Sequence, residues 1–594
     1  MTERTIAERL KLFRTYMQNH GMEAFIVPSA DPHGSEYTPA HWECRKWISG
    51  FTGSAGTAVI TLTGAALWTD SRYFLAAAEQ LEGTGFTLMK QRVAGTPSVA
   101  EWLTMELNKG DTVGIDGHVF PVEEAESLHG ELAKYGVSLV TGPDPFDEIW
   151  QDRPAIPLYP IVRQPLEYAG ETVEGKVERL RAKLHDLGCD AMLVSALDDV
   201  AWLLNLRGSD VECTPVFVAY CLVLEDEVRL YVNEVKTTVV AAYLKEQHIR
   251  ALPYEQVEDD VKRLKDVRLL LPPETNASMA EAAKSSVILV HPSPVASMKA
   301  IKNETEITGF HNAMLRDGIA LVKFLRWLRP AVEAGGQTEI SIDRKLTSLR
   351  AEQPLFKGLS FPTIAGYKDH GAIVHYEAVP ETDRELKPEG LLLIDSGAQY
   401  WDGTTDITRT IALSEPTAEE KHIYTLVLKG HIALSRLRFT AGASGTQLDL
   451  AARRAMWAEG YNFGHGTGHG VGSYLSVHEG PHQIRMNYMP APIVAGMTVT
   501  DEPGLYLTGK FGVRTENVLL AVPYKETEFG WFLTFEPLTL CPIDRCPIEL
   551  SLLDETEVAW LNDYHKTVKD KLLPLLTDKE DKEWLVKATT PIQL

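Results

Sequence analysis

The stretch GHGTGHGVGSYLSVHEGP, Gly464 to Pro481, carries three histidines, one glutamate and six glycines in eighteen residues. Histidines four apart, as His465 and His469 are, would share one face of a helix and could grip a metal there. Glycines at 464, 466, 468, 470, 472 and 480 make that helix very unfavourable, since each costs about 1 kcal/mol relative to alanine in a helix interior. The segment therefore reads as close-approach backbone that aims imidazoles at groups supplied by other parts of the chain.

Acidic groups in the same region supply candidates. GLLLIDSGAQYWDGTTDITRTIAL, Gly390 to Leu413, reads as two strands joined at Asp402-Gly403, a strong hairpin-turn dipeptide. Asp395 ends the apolar run Leu391 to Ile394, and Asp406 begins the return strand. A carboxylate directly after a buried-looking run is costly unless it is paired, although a single such Asp is often just a cap or turn residue. A two-residue turn at 402–403 would set Asp395 opposite Thr410, four residues and about 13 Å from Asp406. Either a bulge or a longer turn closes that gap, or these two carboxylates share no ion.

TVTDEPGLYLTGKFGVRTENVLL, from Thr498, repeats the theme with Glu502 and Glu516. Both lie seven residues from Gly509, so a hairpin with an odd-length turn centred there sets them face to face, with Arg514 on the same strand face as Glu516. Facing glutamates repel unless a cation sits between them, the bland alternative being two solvated carboxylates. Two Asp, two Glu and one His form a hard-oxygen and imidazole set suited to two divalent cations about 3.5–4 Å apart.

Around this region the chain is long for one core, and 594 residues imply several domains. Asp plus Glu number 82 against 58 Lys plus Arg, a net charge of −24. That balance argues against nucleic acid or an anionic membrane as partner, since either needs a basic footprint. The N-terminal MTERTIAERLKLFRTYMQNHG reads as an amphipathic helix rather than a signal peptide, and no segment has the ~20 apolar residues of a membrane span. The six cysteines are scattered, without a disulfide framework or a second pair to complete a zinc site with Cys541 and Cys546, and the expected compartment is the cytoplasm.

GMEAFIVPSAD from Gly21 and GCDAMLVSALD from Gly188 echo one another: a helix-ending Gly, then an apolar strand that stops at small residues and Asp. Two similar α/β domains in tandem follow, separated near the proline-rich Gln151–Pro160, with a second break before a helical pattern that begins around Glu304. The expected division is 1–155, 156–300 and 301–594, the last holding the chemistry.

At these residues the sequence resembles the pita-bread metallopeptidase family of methionine aminopeptidase, prolidase and aminopeptidase P. The family's ligand order, Asp, Asp, His, Glu, Glu with ten residues between the aspartates, is matched by Asp395, Asp406, His469, Glu502 and Glu516. FTGSAGTAVIT, TDSRYF, AIVHYEA, GHGTGHGVGS, VHEGP, DEPGLY and WLNDYH look like the three-domain cytosolic Xaa-Pro aminopeptidases, across nearly the whole chain. The resemblance implies an α/β (α+β) fold, with two tandem creatinase-N-like domains ahead of a C-terminal pita-bread catalytic domain. It implies two divalent cations, Mn²⁺ by family habit with Co²⁺ or Zn²⁺ possible, and a homodimer. The implied reaction is hydrolysis of Xaa-Pro bonds at peptide N-termini by a metal-bridging hydroxide, with Glu502 handling the proton. His375, His465 and His478 match the histidines that bind substrate and stabilise the tetrahedral intermediate; Arg514 and Tyr506 match supporting or substrate-contacting positions. His370 and His482 are read as structural. The nearest rival is a prolidase acting on Xaa-Pro dipeptides; a remoter one is a metal-free peptide- or histone-binding module of the same fold.

Overall fold

The computed structural model describes residues 4–593. The chain divides into two compact units, one of residues 1–163 and 172–295, the other of residues 164–171 and 296–594.

The first unit is built from a repeated motif. Gly21 and Gly188 both take left-handed φ, +66° and +71°, and end the helices that precede the strands Ala24–Pro28 and Ala191–Val194. Each strand stands inside a six-stranded mixed sheet. In chain-order numbering of each repeat, the spatial order is 4-3-2-1-5-6 in both sheets. The pairing senses also agree: strand 1 runs antiparallel to 2 and parallel to 5, and strand 3 runs parallel to 4. The central strands are buried on both faces, which is why Phe25-Ile26-Val27 and Met192-Leu193-Val194 read as unbroken apolar runs instead of alternating patterns. The N-terminal helix Ile6–Asn19 buries Leu10, Phe13 and Met17 against the first sheet.

The second unit contains the long helix Glu304–Ala334, started by a capping box in which Asn303 and Glu306 satisfy one another's backbone N–H groups. Its remaining strands form small sheets wrapped by helices. One core contains Ile423 and Val427 of the helix Ala418–Ser435 together with Leu505, Phe511 and Val513. These last three share one face of the Gly504–Leu507 and Phe511–Arg514 hairpin, with Arg514 on the opposite face and Tyr506 packed at the edge of that core. Among the described residues, no helix is long and apolar enough to cross a membrane.

Candidate metal centre

The first aspartate hairpin turns one residue earlier than its sequence implies. Tyr400 pairs with Gly403, so the turn is Trp401-Asp402 and not Asp402-Gly403. Asp402 is held there by an ion pair with Arg316 of the long helix, and Gly309 of that helix admits its carbonyl, where a Cβ would come within 2.1 Å of the oxygen. The register moves by two residues, and Asp395 faces Thr408 instead of Thr410. Asp406 then lies two residues along, about 7 Å of strand instead of 13. Regular pairing is also interrupted at Gly397 and at Thr405-Asp406, which frees Asp406 from the ladder.

The second hairpin follows the expected register. Gly504 pairs with Arg514 and Leu507 with Phe511 around a three-residue loop centred on Gly509, whose φ is +73°. Thr498–Asp501 continues the same alignment, with Asp501 opposite Asn517. Glu502 and Glu516 occupy the gap between these two ladders, across from one another.

His469 reaches the carboxylates from the short strand Gly468–Gly470. Gly468 is there for close approach: a Cβ would stand 1.9 Å from the carbonyl oxygen of Thr500. The Nδ1–H of His469 donates to the Gly470 carbonyl at 2.9 Å, which leaves Nε2 facing Asp406 at 3.5 Å and Glu502 at 3.3 Å. Ligand atoms of Asp406, His469 and Glu516 all lie within 4.8 Å of one another.

Electrostatics show what this crowding costs without cations. Burial, reinforced by the charge of Asp395, holds the Asp406 carboxyl well above the usual carboxylate range. Burial and the charges of Asp406 and Asp395 do the same to Glu516. Burial raises Asp395 too, against the opposing charge of Arg514. At Glu502 burial is outweighed by the hydrogen bond and charge of His469, which bring its carboxyl down to about 2. His469 shows the counterpart: burial opposes its charge, but Glu502 and Asp406 hold it up at about 9. Asp395 accepts from Arg514 at 2.7 Å through Oδ2, while its buried Oδ1 has no hydrogen-bond partner among the described residues. An orphaned carboxylate oxygen, two carboxyls forced toward protonation and an imidazole with a fixed tautomer form a donor set that fits divalent cations.

The supporting residues form a chain away from the cluster. Arg514 donates to Tyr506 Oη at 2.7 Å, so the phenol proton points to His465 Nε2, also at 2.7 Å. The Nδ1–H of His465 donates to the Gly466 carbonyl at 2.7 Å, and burial pushes this imidazole down to about 4, keeping it neutral. His478 stands edge-on to His469 with ring centroids 4.3 Å apart. His375 follows Val374, whose carbonyl accepts from Arg514 at 3.4 Å. His482 is buried and bonded through Nε2 to the Thr498 carbonyl, a structural role, and burial lowers it to about 4. His370 lies elsewhere, on Glu339.

Sequence reasoning passed over three threonines and two acidic anchors. Thr408 Oγ1 donates to Glu516 at 2.7 Å, Thr410 bonds the Arg514 backbone, and Thr500 links the His469 N–H to Glu502. The alternation Asp406, Thr408, Thr410 along a fully buried strand was the available signal. Glu339 carries no comparable signal, because its partners lie on other elements, and the i,i+4 pair of Asp449 with Arg453 reads as an ordinary helix pair that does not disclose its hold on Thr467.

Asp406, Glu516 and His469 within 4.8 Å, with Glu502 on the same imidazole, are the donor set of a metallohydrolase. Residues 309–523 match the model of metallopeptidase family M24, and 531–592 match the C-terminal region described for that peptidase. Residues 9–149 and 152–306 match two models of the creatinase/prolidase N-terminal domain. Aminopeptidase P1 of Arabidopsis thaliana is 40% identical, with 99% of this chain and 100% of that protein covered. Xaa-Pro aminopeptidase 1 of Dictyostelium discoideum is 38% identical, covering 99% and 97%. The crystal structure of X-prolyl aminopeptidase from Caenorhabditis elegans, described as a cytosolic enzyme with a di-nuclear active site, aligns with TM-score 0.95 at 36% identity, over 99% of this chain and 100% of that one. The chain belongs to the aminopeptidase P family of M24 metallopeptidases.

Proposed function

We propose that this chain is an Xaa-Pro aminopeptidase, removing the first residue from peptides with proline second, with two divalent cations held by Asp395, Asp406, His469, Glu502 and Glu516. The observation that carries the reading is the convergence of Asp406, His469 and Glu516 at 4.8 Å, with Glu502 on the same imidazole. The names of full-length relatives and the di-nuclear site of the C. elegans enzyme support it. Four carboxylates to one imidazole favour Mn²⁺, though Co²⁺ or Zn²⁺ suit the same donors. A cytoplasmic homodimer belongs to the same proposal, on the family resemblance.

Such cations, when bound, acidify water toward neutrality and polarise a carbonyl. Glu502 takes the proton of the attacking water and returns it to the departing proline nitrogen. His375 and His478 donate to the carbonyl oxygen as charge develops on it. Both ring nitrogens of His465 are taken, by Tyr506 and Gly466, so its part is to fix the phenol beside the substrate. Arg514 holds Asp395 and Tyr506 together. The scissile Xaa-Pro amide lacks an N–H, so this set of groups acts on a bond that enzymes gripping an extended backbone handle poorly.

The test is release of the first amino acid from an Xaa-Pro-Xaa tripeptide, beside an Xaa-Pro dipeptide and an Xaa-Ala-Xaa control, with chelator and Mn²⁺ add-back. Chelator-sensitive cleavage of the tripeptide at the Xaa-Pro bond is expected. Preference for the dipeptide would make the chain a prolidase, and a metal-free chain inert in Mn²⁺ would make it a binding module.

A further inference from the structure

His375 sits in a short turn that follows the 3-10 helix Lys368–Ala372. The Ile373 N–H donates to the His370 carbonyl and the Tyr376 N–H to the Ile373 carbonyl, each at 3.0 Å. On one side the turn is tied to Arg514 through the Val374 carbonyl. Its other side leads to Glu339, which is fully buried at the first position of the helix Glu339–Ala351, where the helix dipole favours a negative charge.

Four donors converge on that one carboxylate. Oε1 accepts from the Tyr367 N–H at 2.8 Å and from His370 Nδ1 at 2.9 Å. Oε2 accepts from the Tyr376 hydroxyl at 2.9 Å and the Arg384 N–H at 3.2 Å. The Arg384 guanidinium donates to His370 Nε2 at 2.8 Å, which places the His370 proton on Nδ1, facing the carboxylate. The His370 ring also packs on Tyr376, with centroids 4.3 Å apart. These partners bracket His375 in sequence: Tyr367 and His370 precede it, Tyr376 follows it directly, and Arg384 closes the loop.

We infer that Glu339 is the positioning residue of His375: its buried carboxylate, acting through His370 and Tyr376, fixes the turn that presents the imidazole to the substrate carbonyl. This rests on the proposed role of His375 and gives His370 a part that its sequence context did not reveal. A carboxylate is required because an ionised Glu only accepts, whereas a Gln would turn an NH₂ toward groups that are themselves donors. A displacement of about 1 Å at a reacting group can cost about 100-fold in rate, so the tie has a kinetic signature distinct from stability.

The test is a double-mutant cycle on the full-length, metal-loaded protein with an Xaa-Pro-Xaa peptide. Tyr376→Phe removes one tie at constant shape and is expected to lower kcat about 5- to 10-fold, with KM and ion content little changed; Glu339→Gln is expected to lower it about 30- to 100-fold. In a His375→Ala background the same changes should cost less than about twofold more, because the residue they position is gone. Equal losses in both backgrounds would overturn the inference. If Glu339→Gln fails to fold, Tyr376→Phe carries the cycle. If the unsubstituted protein turns over no Xaa-Pro peptide, the functional reading fails on its own, and crystal structures decide instead: a displaced Ile373–Tyr376 turn in Tyr376→Phe upholds the tie, and an unmoved one refutes it.

Discussion

The five candidate ligands and the three neighbouring histidines are held in different ways. Asp395 lies within a continuous ladder, Asp406, Glu502 and Glu516 stand at interruptions in paired strands, and His469 lies on a short strand of its own, so backbone ladders set their spacing. His375, His465 and His478 sit on turns and loops whose shape comes from buried charged side chains. Glu339 ties the first. Arg453 and Asp449 grip the second, Arg453 donating to the Phe463 and His465 carbonyls at 2.6 and 2.9 Å while Asp449 accepts from Thr467. Glu479, next to His478, is buried against Lys302. Ladders give a register that one residue more or less would destroy, and side-chain ties give a position that one substitution can loosen.

The largest expected effect comes from the ladder-borne group. Asp406→Asn or Glu516→Gln should remove activity by at least about 10³-fold, about 4 kcal/mol of barrier, with loss of bound ion seen by elemental analysis. His478→Ala should lower kcat by about 100-fold while both ions stay bound, since it acts on the substrate side. Loss of metal in that variant would erase the distinction between the two groups. Arg514→Gln lies between them: it leaves Asp395 buried without its cation, and metal affinity measured by titration should fall about 10- to 100-fold.

The smallest effect is a pH dependence of the chelated protein. The Asp406 and Glu516 carboxyls are raised in the folded state, so their contribution to stability is full below the ordinary carboxyl range and declines as pH rises through their folded values. The His469 contribution, raised to about 9, is likewise full below about 6.5 and lost as pH passes 9. Bound cations replace those protons, so the drop in Tm caused by chelator should be larger at pH 9 than at pH 6. A drop independent of pH would mean that the carboxylates are relieved by something other than cations.

The same contrast explains what the sequence disclosed. Repeated sheets were legible because Gly21 and Gly188 end helices before buried apolar strands, a local signal. Glu502 facing Glu516 was legible because symmetry about Gly509 fixes the register of an odd-length turn. The Asp395 hairpin was misread by two residues, because Asp402-Gly403 has strong turn chemistry and the competing hold of Arg316 on Asp402 comes from a helix some 86 residues away. Glu339 was invisible for the same reason: its meaning lies in Tyr367, His370, Tyr376 and Arg384, none of them near it in sequence. His370 and His482, alike as lone histidines, differ in use. One supports the His375 turn, and the other closes a backbone contact with Thr498.

The most direct test of the account is a Mn²⁺ titration of metal-stripped protein, followed by elemental analysis and by turnover of an Xaa-Pro-Xaa peptide at each step. The account predicts two ions per chain, activity that appears only as they bind, and neither in Asp406→Asn. Full turnover in the stripped protein, or two ions retained by Asp406→Asn, would contradict it.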